Sequence, residues 1–311
     1  MILSFLTLDF GASTVDAIWW NNNIPSRIIS FNTREVEVSD LEVFLKKNAF
    51  ELASFDFLKV TGGRSRFFPS RVFGKEVQKV DEIEAVGKGG MFLLQSDLAS
   101  ASDLNRVIDS NYATSSSHAN DSHCINDSKY VANSSCSIDP ILVVSMGTGT
   151  CMVKVENGIC QHIGGTGIGG GTFLALNHLI LGENDIRAII KRYERGNVEH
   201  VDLSVSDIIG EGIGMVPAYA TASNFGKIVG KEIIFSKDDL AAGIVNLIGQ
   251  TIATAFVFAA QAHNVKIVVL TGKLTRVQKI MDVIFSVADM YKIRVILPKN
   301  AEYVSAIGAG V

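Results

Sequence analysis

The stretch "VVSMGTGTCMVKVENGICQHIGGTGIGGGTFLALNHLILG" (143–182) concentrates glycine in a chain otherwise rich in β-branched residues and leucine. Glycine falls at 147 and 149, again at 158, and then throughout "GGTGIGGGT" (164–172). A turn whose backbone N–H groups point the same way binds an anion, and glycine lets the main chain approach it closely. "GTGT" (147–150) adds two hydroxyls that can donate to phosphate oxygens. The run at 164–172 leads directly into an apolar segment that reads as a helix over 171–181. The N-terminal amides and dipole of such a helix favour a polyphosphate. Between the two clusters, "CMVKVENGICQHIGG" reads as a hairpin turned at Glu156-Asn157-Gly158. Glycine clusters also serve tight turns and close packing, so one cluster alone decides nothing.

A third turn tips the balance toward nucleotide phosphate. The apolar strand "ILSFLTLDFG" (2–11) runs into "LDFGAST" (8–14) and then into a hairpin-like run, "VDAIWWNNNIPSRIISF". Strand, phosphate-type turn and hairpin therefore occur twice, which predicts two related lobes with a cleft between them. Asp9 closes the first strand, where a carboxylate can hold Mg2+ directly or through water beside the phosphates; its plainer role is to cap the turn. "FLKVTGG" (57–63) and "VKIVVLTGK" (265–273) are further strands ending in glycine turns. Helical stretches at 38–48, 81–105, 171–181 and 238–263 alternate with the strands, which argues for an α/β fold. The organisation expected is a first lobe over 1–107, an insertion over 108–139 and a second lobe over 140–311. The insertion is rich in serine and asparagine, the composition of a solvated, partly disordered segment. Its His118, His123, Cys124 and Cys136 match no standard zinc spacing.

Composition narrows the partners. With 311 residues, 47% of them apolar and 19% charged, the chain can bury the cores of two lobes. The net charge of −4 leaves no electrostatic footprint for nucleic acid. Four cysteines in a chain this long make no disulfide framework, and reduced thiols in a cytoplasm are the simpler reading. The N-terminus is apolar but lacks a basic leader and reads as a strand, not a signal peptide. Residues 241–265 carry no Asp, Glu, Lys or Arg and have the length of a membrane span. Asn246, Gln250, Gln261, His263 and Asn264 interrupt them, so a buried helix and no membrane contact are expected.

Phosphoryl transfer to an alcohol also needs a group that orients the hydroxyl and takes its proton. "VQKVDEIEAVGKGG" (77–90) offers Asp81, Glu82 and Glu84 at the start of a helix. Acidic residues also suit a first helical turn for the dipole alone, and composition does not choose among the three.

The motifs taken together resemble the type II pantothenate kinases, within the actin/hexokinase/Hsp70 ATPase superfamily. The likeness is strongest at "IGGTGIGGGTFLALNHLILG" (163–182) and continues in "VDLSVSDIIG" (201–210), "ATASNFGKI" (220–228), "VTGG" (60–63) and "AEYVSAIGAGV" (301–311). It implies a two-lobed, ribonuclease H-like ATPase fold using ATP and Mg2+. "DFGAST" would be the first phosphate loop, with Gly11, Ser13 and Thr14 at ATP and Asp9 at the metal. Gly147, Thr148, Gly149 and Thr150 would form the second. Gly165, Gly167, Gly169, Gly170 and Gly171 would wrap ATP, and Gly272 would meet the adenosine. Glu82 falls at the family's catalytic base, and Asn224, Phe225 and Gly226 match its "(A/S)(N/S)FG" segment. The resemblance also implies a homodimer joined along the long apolar helix, and regulation by coenzyme A or acyl-coenzyme A.

Three positions depart from the family pattern. Asp16 stands where the family has a phosphate-contacting lysine, and an acid there repels a polyphosphate unless its side chain turns away or binds a metal. His162 replaces an arginine that meets substrate and transferring phosphate, without that side chain's planar fork. Cys151 replaces a serine at pantothenate and is a weaker hydrogen-bonding group. Arg64 or Arg66 in "TGGRSR" could restore the lost positive charge at the substrate. The expectation is phosphorylation of pantothenate, the first step toward coenzyme A. The departures equally suit a kinase of a related hydroxylated acceptor, or a catalytically impaired nucleotide- or coenzyme A-binding homologue.

Overall fold

Alternation along the first strand sets two faces. In the computed structural model, which describes residues 4–32, 41, 43, 45, 55–100, 140–214, 216–229 and 234–311, β1 (Ser4–Phe10) sends Leu6, Leu8 and Phe10 into one core and Phe5 into another. Side chains two apart share a face, so Asp9 emerges on the same side as Phe5 and Thr7. β2 (Thr14–Asn21) and β3 (Ile24–Asn32) complete an antiparallel hairpin turned at Asn22 and Asn23, both with positive φ. β4 (Phe57–Thr61) lies parallel to β1, β6 (Lys75–Lys79) parallel to β4, and the short β5 (Arg71–Val72) closes the edge. The sheet order is β3-β2-β1-β4-β6-β5.

The second sheet repeats this pattern. β7 (Ile141–Met146), β8 (Thr150–Glu156) and β9 (Ile159–Thr166) pair antiparallel, and the β8–β9 turn again carries two residues at positive φ, Asn157 and Gly158. That pairing of left-handed residues suits a two-residue hairpin whose twist matches its strands. β12 (Ile267–Thr271) lies parallel to β7 and β13 (Arg294–Ile296) parallel to β12, giving the order β13-β12-β7-β8-β9. Strand for strand, β9-β8-β7-β12-β13 reproduces β3-β2-β1-β4-β6 in order and in parallel or antiparallel sense. A smaller ladder joins β10 (Leu203–Ser204) and β11 (Thr221–Ser223).

The helices do not stay with the sheets they follow in the chain. α1 (Glu82–Ser100) comes after the first sheet, yet its Val86 and Leu94 pack with Ile141, Val143, Val153, Val155 and Val269 of the second. α7 (Val304–Gly308), at the end of the chain, packs Val304, Ala306 and Ile307 onto Phe5, Ile18 and Trp20 of the first. The two helices cross between the sheets at very short range. A Cβ on Gly89 would stand 2.0 Å from the Val304 carbonyl oxygen, and one on Gly308 would stand 1.7 Å from that of Ala85. Only glycine permits that approach.

The outer face of the second sheet carries the remaining helices. α2 (Gly170–Leu181), α3 (Ile186–Arg195), α5 (Lys237–Ala262) and α6 (Gln278–Met290) bury it, while α4 (Val205–Ile209) is a short turn after β10. α5 is the helix anticipated over 238–263 and carries most of the uncharged stretch 241–265. A capping box between Ser236 and Asp239 starts it, with Ser236 N donating to Asp239 Oδ2 at 2.8 Å and Asp239 N to Ser236 Oγ at 3.1 Å. It is long and apolar enough to cross a membrane, but Ile244, Ile248, Ile252 and Phe256 pack into the main core with Leu142, Val144 and Leu270. α3 and α6 lie where no helix was expected. The stretch expected to be helical over 38–48 falls largely, and the 108–139 segment wholly, outside the described residues.

Gly308→Ala is expected to lower the unfolding free energy by about 1–3 kcal/mol through overpacking against Ala85. Gly167→Ala, with open space around the new methyl group, should change it by less than ~0.5 kcal/mol. Thermal denaturation of the two variants checks the contrast.

Candidate active site

The β1–β2 and β7–β8 turns face each other across a cleft of about 540 Å³. Gly11 N donates to Thr14 O at 3.0 Å and tightens the first turn. Ser13 Oγ lies 3.2 Å from Thr148 Oγ1, so one hydroxyl pair joins the first turn to the second. The two halves of the duplication thus meet where the sequence placed its first two phosphate loops.

Asp9 stands at the floor of this cleft, beside Gly62 of the β4 turn. Gly62 has φ of 86°, and a Cβ there would lie 2.3 Å from Asp9 Oδ1, so the turn needs glycine to leave room for the carboxylate. Burial, reinforced by the charges of Asp16 and Glu82, pushes Asp9 up to about 7, against opposing help from Lys273 and a hydrogen bond with Ser305. Asp16 faces Asp9 across the β1–β2 ladder and is likewise raised, chiefly by burial. Its side chain pairs with Lys273 Nζ at 2.5 Å.

The three acidic candidates at the start of α1 separate cleanly. Asp81 is the cap: Ile83 N and Glu84 N donate to its Oδ1 at 2.9 and 3.1 Å. Glu84 points outward and pairs with Lys88 at 2.7 Å. Glu82 lines the cleft, and its carboxyl is raised by burial and then by Asp81. A carboxylate raised this way, with no ion-pair partner among the described residues, is chemically suited to accept a proton. Cys151 lies on the same wall, its thiol pushed up to about 11 by burial and by Glu82. It remains protonated at neutral pH and is no nucleophile.

The third glycine cluster behaves differently from expectation. Gly170 N donates to Gly147 O at 2.8 Å and Gly171 N to Thr148 O at 2.9 Å. These amides are therefore used in seating the glycine run on the second turn, not left bare for a phosphate. A Cβ on Gly169 would stand 2.7 Å from Gly149, and one on Gly165 2.4 Å from the Thr150 carbonyl oxygen. Close backbone packing, one of the two readings open for such a cluster, explains much of its composition.

Of the residues singled out from the sequence, Asp9, Gly11, Ser13, Thr14, Glu82, Gly147, Thr148, Gly149, Thr150, Cys151, Gly170, Gly171 and Gly272 line the cleft. Gly165, Gly167 and Gly169 do not line it, and the first two are exposed. His162 and Arg64 also lie outside it. His162 is exposed on the edge strand β9, opposite Val153. Arg64 is exposed at the lip, its N donating to Phe10 O and its guanidinium over the Phe10 ring at 5.4 Å. Neither supplies positive charge to the cleft wall. Asn224, Phe225 and Gly226 are elsewhere: Asn224 Nδ2 and Phe225 N donate to the buried Asp202, next to a second groove along α5. Sequence reasoning missed Ser305 and Lys273. The second was visible as the lysine immediately after the glycine in "LTGK".

The fold and cleft define the class. The arrangement is the two-lobed actin-like ATPase fold: an activator of 2-hydroxyisocaproyl-CoA dehydratase from Clostridium difficile, solved with bound ADPNP, aligns over 99% of this chain and 93% of its own at TM-score 0.57 and 13% identity. A ROK family protein from Streptococcus pneumoniae TIGR4, solved with sucrose, aligns over 99% and 96% at TM-score 0.51 and 11% identity. The chain belongs to the Fumble family, whose model matches residues 18–311. Among sequence relatives, a type II pantothenate kinase of Oceanobacillus iheyensis is 34% identical over 54% of this chain and 63% of its own length. Pantothenate kinase 1 of Oryza sativa subsp. japonica is 35% identical over 44% and 21%, and a type II pantothenate kinase of Bacillus cereus 29% identical over 44% and 50%. Each match spans less than two thirds of the relative's own length.

The raised carboxyls give a test of the site without substrate. A carboxyl raised in the folded state binds a proton there that the unfolded chain has already lost, so stability falls as pH rises from the ordinary carboxylate range through the folded value. For Asp9 that window runs from about 4 to about 7. The melting temperature of the wild type should decline across it, and Asp9→Asn should flatten the decline. An unchanged slope in the variant would remove Asp9 from the account.

Proposed function

We propose that this protein is a pantothenate kinase, transferring the terminal phosphoryl group of ATP to the primary hydroxyl of pantothenate, the first step toward coenzyme A. The carrying observation is that Glu82, alone of the three acidic candidates, faces the cleft in which the two hydroxyl-bearing turns meet. The names of the family's sequence relatives supply the acceptor. The triphosphate lies between 11–14 and 147–150, where Ser13 and Thr148 donate hydroxyl hydrogens to it. Phe173, Leu174, Leu274 and Val277 give the cleft an apolar side that suits a purine base. Glu82 accepts the proton of the acceptor hydroxyl as its oxygen attacks the terminal phosphorus; the bond to the bridging oxygen breaks and ADP leaves. Cys151, protonated beside Glu82, shapes the acceptor pocket.

The residues fit a magnesium ion. Asp9, Asp16 and Glu82 all line the cleft, and burial first, then the charges of Asp16 and Glu82, raise the Asp9 carboxyl. Asp9 would hold the ion, in keeping with Mg2+ taking one or two carboxylates plus substrate phosphates. The ion when bound supplies charge neutralisation on the phosphate oxygens. Among the described residues, no group of three or more His, Cys, Asp or Glu could hold a metal ion without other ligands.

We further propose that the active form is a homodimer joined along α5, where a groove of about 540 Å³ runs beside Asn246, Gln250 and Tyr291 and Phe258 remains half exposed. A cytoplasmic location is part of the same proposal; Cys151 and Cys160 carry free thiols. Coenzyme A or its acyl forms would act as regulators, because they share the pantothenate moiety with the substrate.

Purified protein with ATP, Mg2+ and pantothenate should yield phosphopantothenate, detected by mass. Glu82→Gln should lower kcat by about 10²–10⁴ while leaving ATP binding intact. Turnover that survives this change would dismiss Glu82 as the base, and turnover on other alcohols but not pantothenate would redirect the acceptor.

A further inference from the structure

Among the described residues lining the cleft, Lys273 is the one lysine, arginine or histidine, against the carboxylates of Asp9, Asp16, Glu82 and Glu302. A magnesium triphosphate still carries net negative charge, so a cleft that binds it needs a cation of its own. Lys273 follows Gly272 at the end of β12, in the second-sheet unit, and reaches across to the first. Its Nζ donates to Asp16 Oδ1 at 2.5 Å and to Ser30 Oγ at 2.9 Å, both from the β2–β3 hairpin. The Tyr303 ring covers the ammonium, 4.4 Å from its centroid. Arg276, the next cation along, is occupied with Glu302 at 3.0 Å and Tyr303 Oη at 2.9 Å and does not line the cleft.

The two ends of the Asp16–Lys273 pair are unequally placed. The Asp16 side chain is 3% exposed and that of Lys273 25%, so the carboxylate is the buried anchor and the ammonium the accessible end. An ammonium has three donors; Asp16 and Ser30 take two. Its charge already reaches Asp9, whose carboxyl it pulls downward.

We propose that Lys273 is the cation that meets the nucleotide's phosphates, with Asp16 as the positioning residue that holds it at the cleft. Asp16 then repels no polyphosphate, since its charge is spent on a lysine delivered from the opposite sheet. This inference rests on the reading of the cleft as an ATP site and assigns within it the group that supplies positive charge.

Calorimetric titration of the full chain with ATP and Mg2+ tests it, with the melting temperature recorded for every variant. Lys273→Met should weaken ATP binding about ten- to hundredfold, the range for a charge-assisted hydrogen bond, and Lys273→Arg should restore most of it. Since Lys273→Met strands a buried carboxylate, the double variant Asp16→Asn/Lys273→Met removes both charges and keeps the fold. It should melt near the wild type yet still bind ATP weakly. A double variant that binds ATP as tightly as the wild type would reduce Lys273 to a mere partner of Asp16 and overturn the inference, leaving the ATP site standing. A wild type that binds no ATP would instead overturn the reading of the cleft, and the inference with it.

Discussion

The backbone approach of α1 and α7 at Gly89 and Gly308 governs the whole molecule. These helices are more than 200 residues apart in the chain, and each covers the inner face of the sheet its partner follows in sequence. With Cβ positions 2.0 and 1.7 Å from facing carbonyl oxygens, no other residue type allows the crossing. Because the helices touch, the sheets are held at one separation, and the β1–β2 and β7–β8 turns are left facing each other. Glu82 is the first residue of one of these helices and Ser305 belongs to the other, so the same crossing delivers the candidate base and a partner of Asp9 to the cleft.

The electrostatics follow from that placement. Three carboxyls from two strands and a helix line one cleft, with Asp16 buried, Asp9 half-buried and Glu82 at the exposed start of α1, and loss of hydration is the first cause that raises each. Carboxyls raised together in a cleft mark a candidate functional site. The Asp16–Lys273 pair is the part already neutralised. The polar network of Asp202, Asn224 and Asn246, by contrast, is satisfied internally and serves the packing of β11 against α5.

The duplication was legible because its signals are local. "LDFGAST" and "SMGTGT" end strands of alternating or continuous apolar character, and each is followed by a hairpin whose asparagine or glycine turn is written in the sequence. α5 was legible by length and composition, with its membrane-like hydropathy explained by burial. What escaped depends on contacts between distant residues. The crossing of α1 and α7 is a tertiary choice that no periodicity encodes. Whether Gly170 and Gly171 offer or use their amides depends on the Gly147 and Thr148 carbonyls, and whether Asp16 repels a phosphate depends on a lysine 257 residues away. His162 was assigned through the resemblance and Arg64 through its charge; His162 lies exposed on the edge strand β9 and Arg64 exposed on the turn after β4, and neither lines the cleft.

A crystal structure with a non-hydrolysable ATP analogue and Mg2+ would test the central claim most directly. The account expects the β- and γ-phosphates between residues 11–14 and 147–150, within hydrogen-bond distance of the Ser13 and Thr148 hydroxyls, with the metal at Asp9. An analogue seated in the groove along α5, or a cleft that stays closed by the Ser13–Thr148 contact while the nucleotide binds elsewhere, would contradict it.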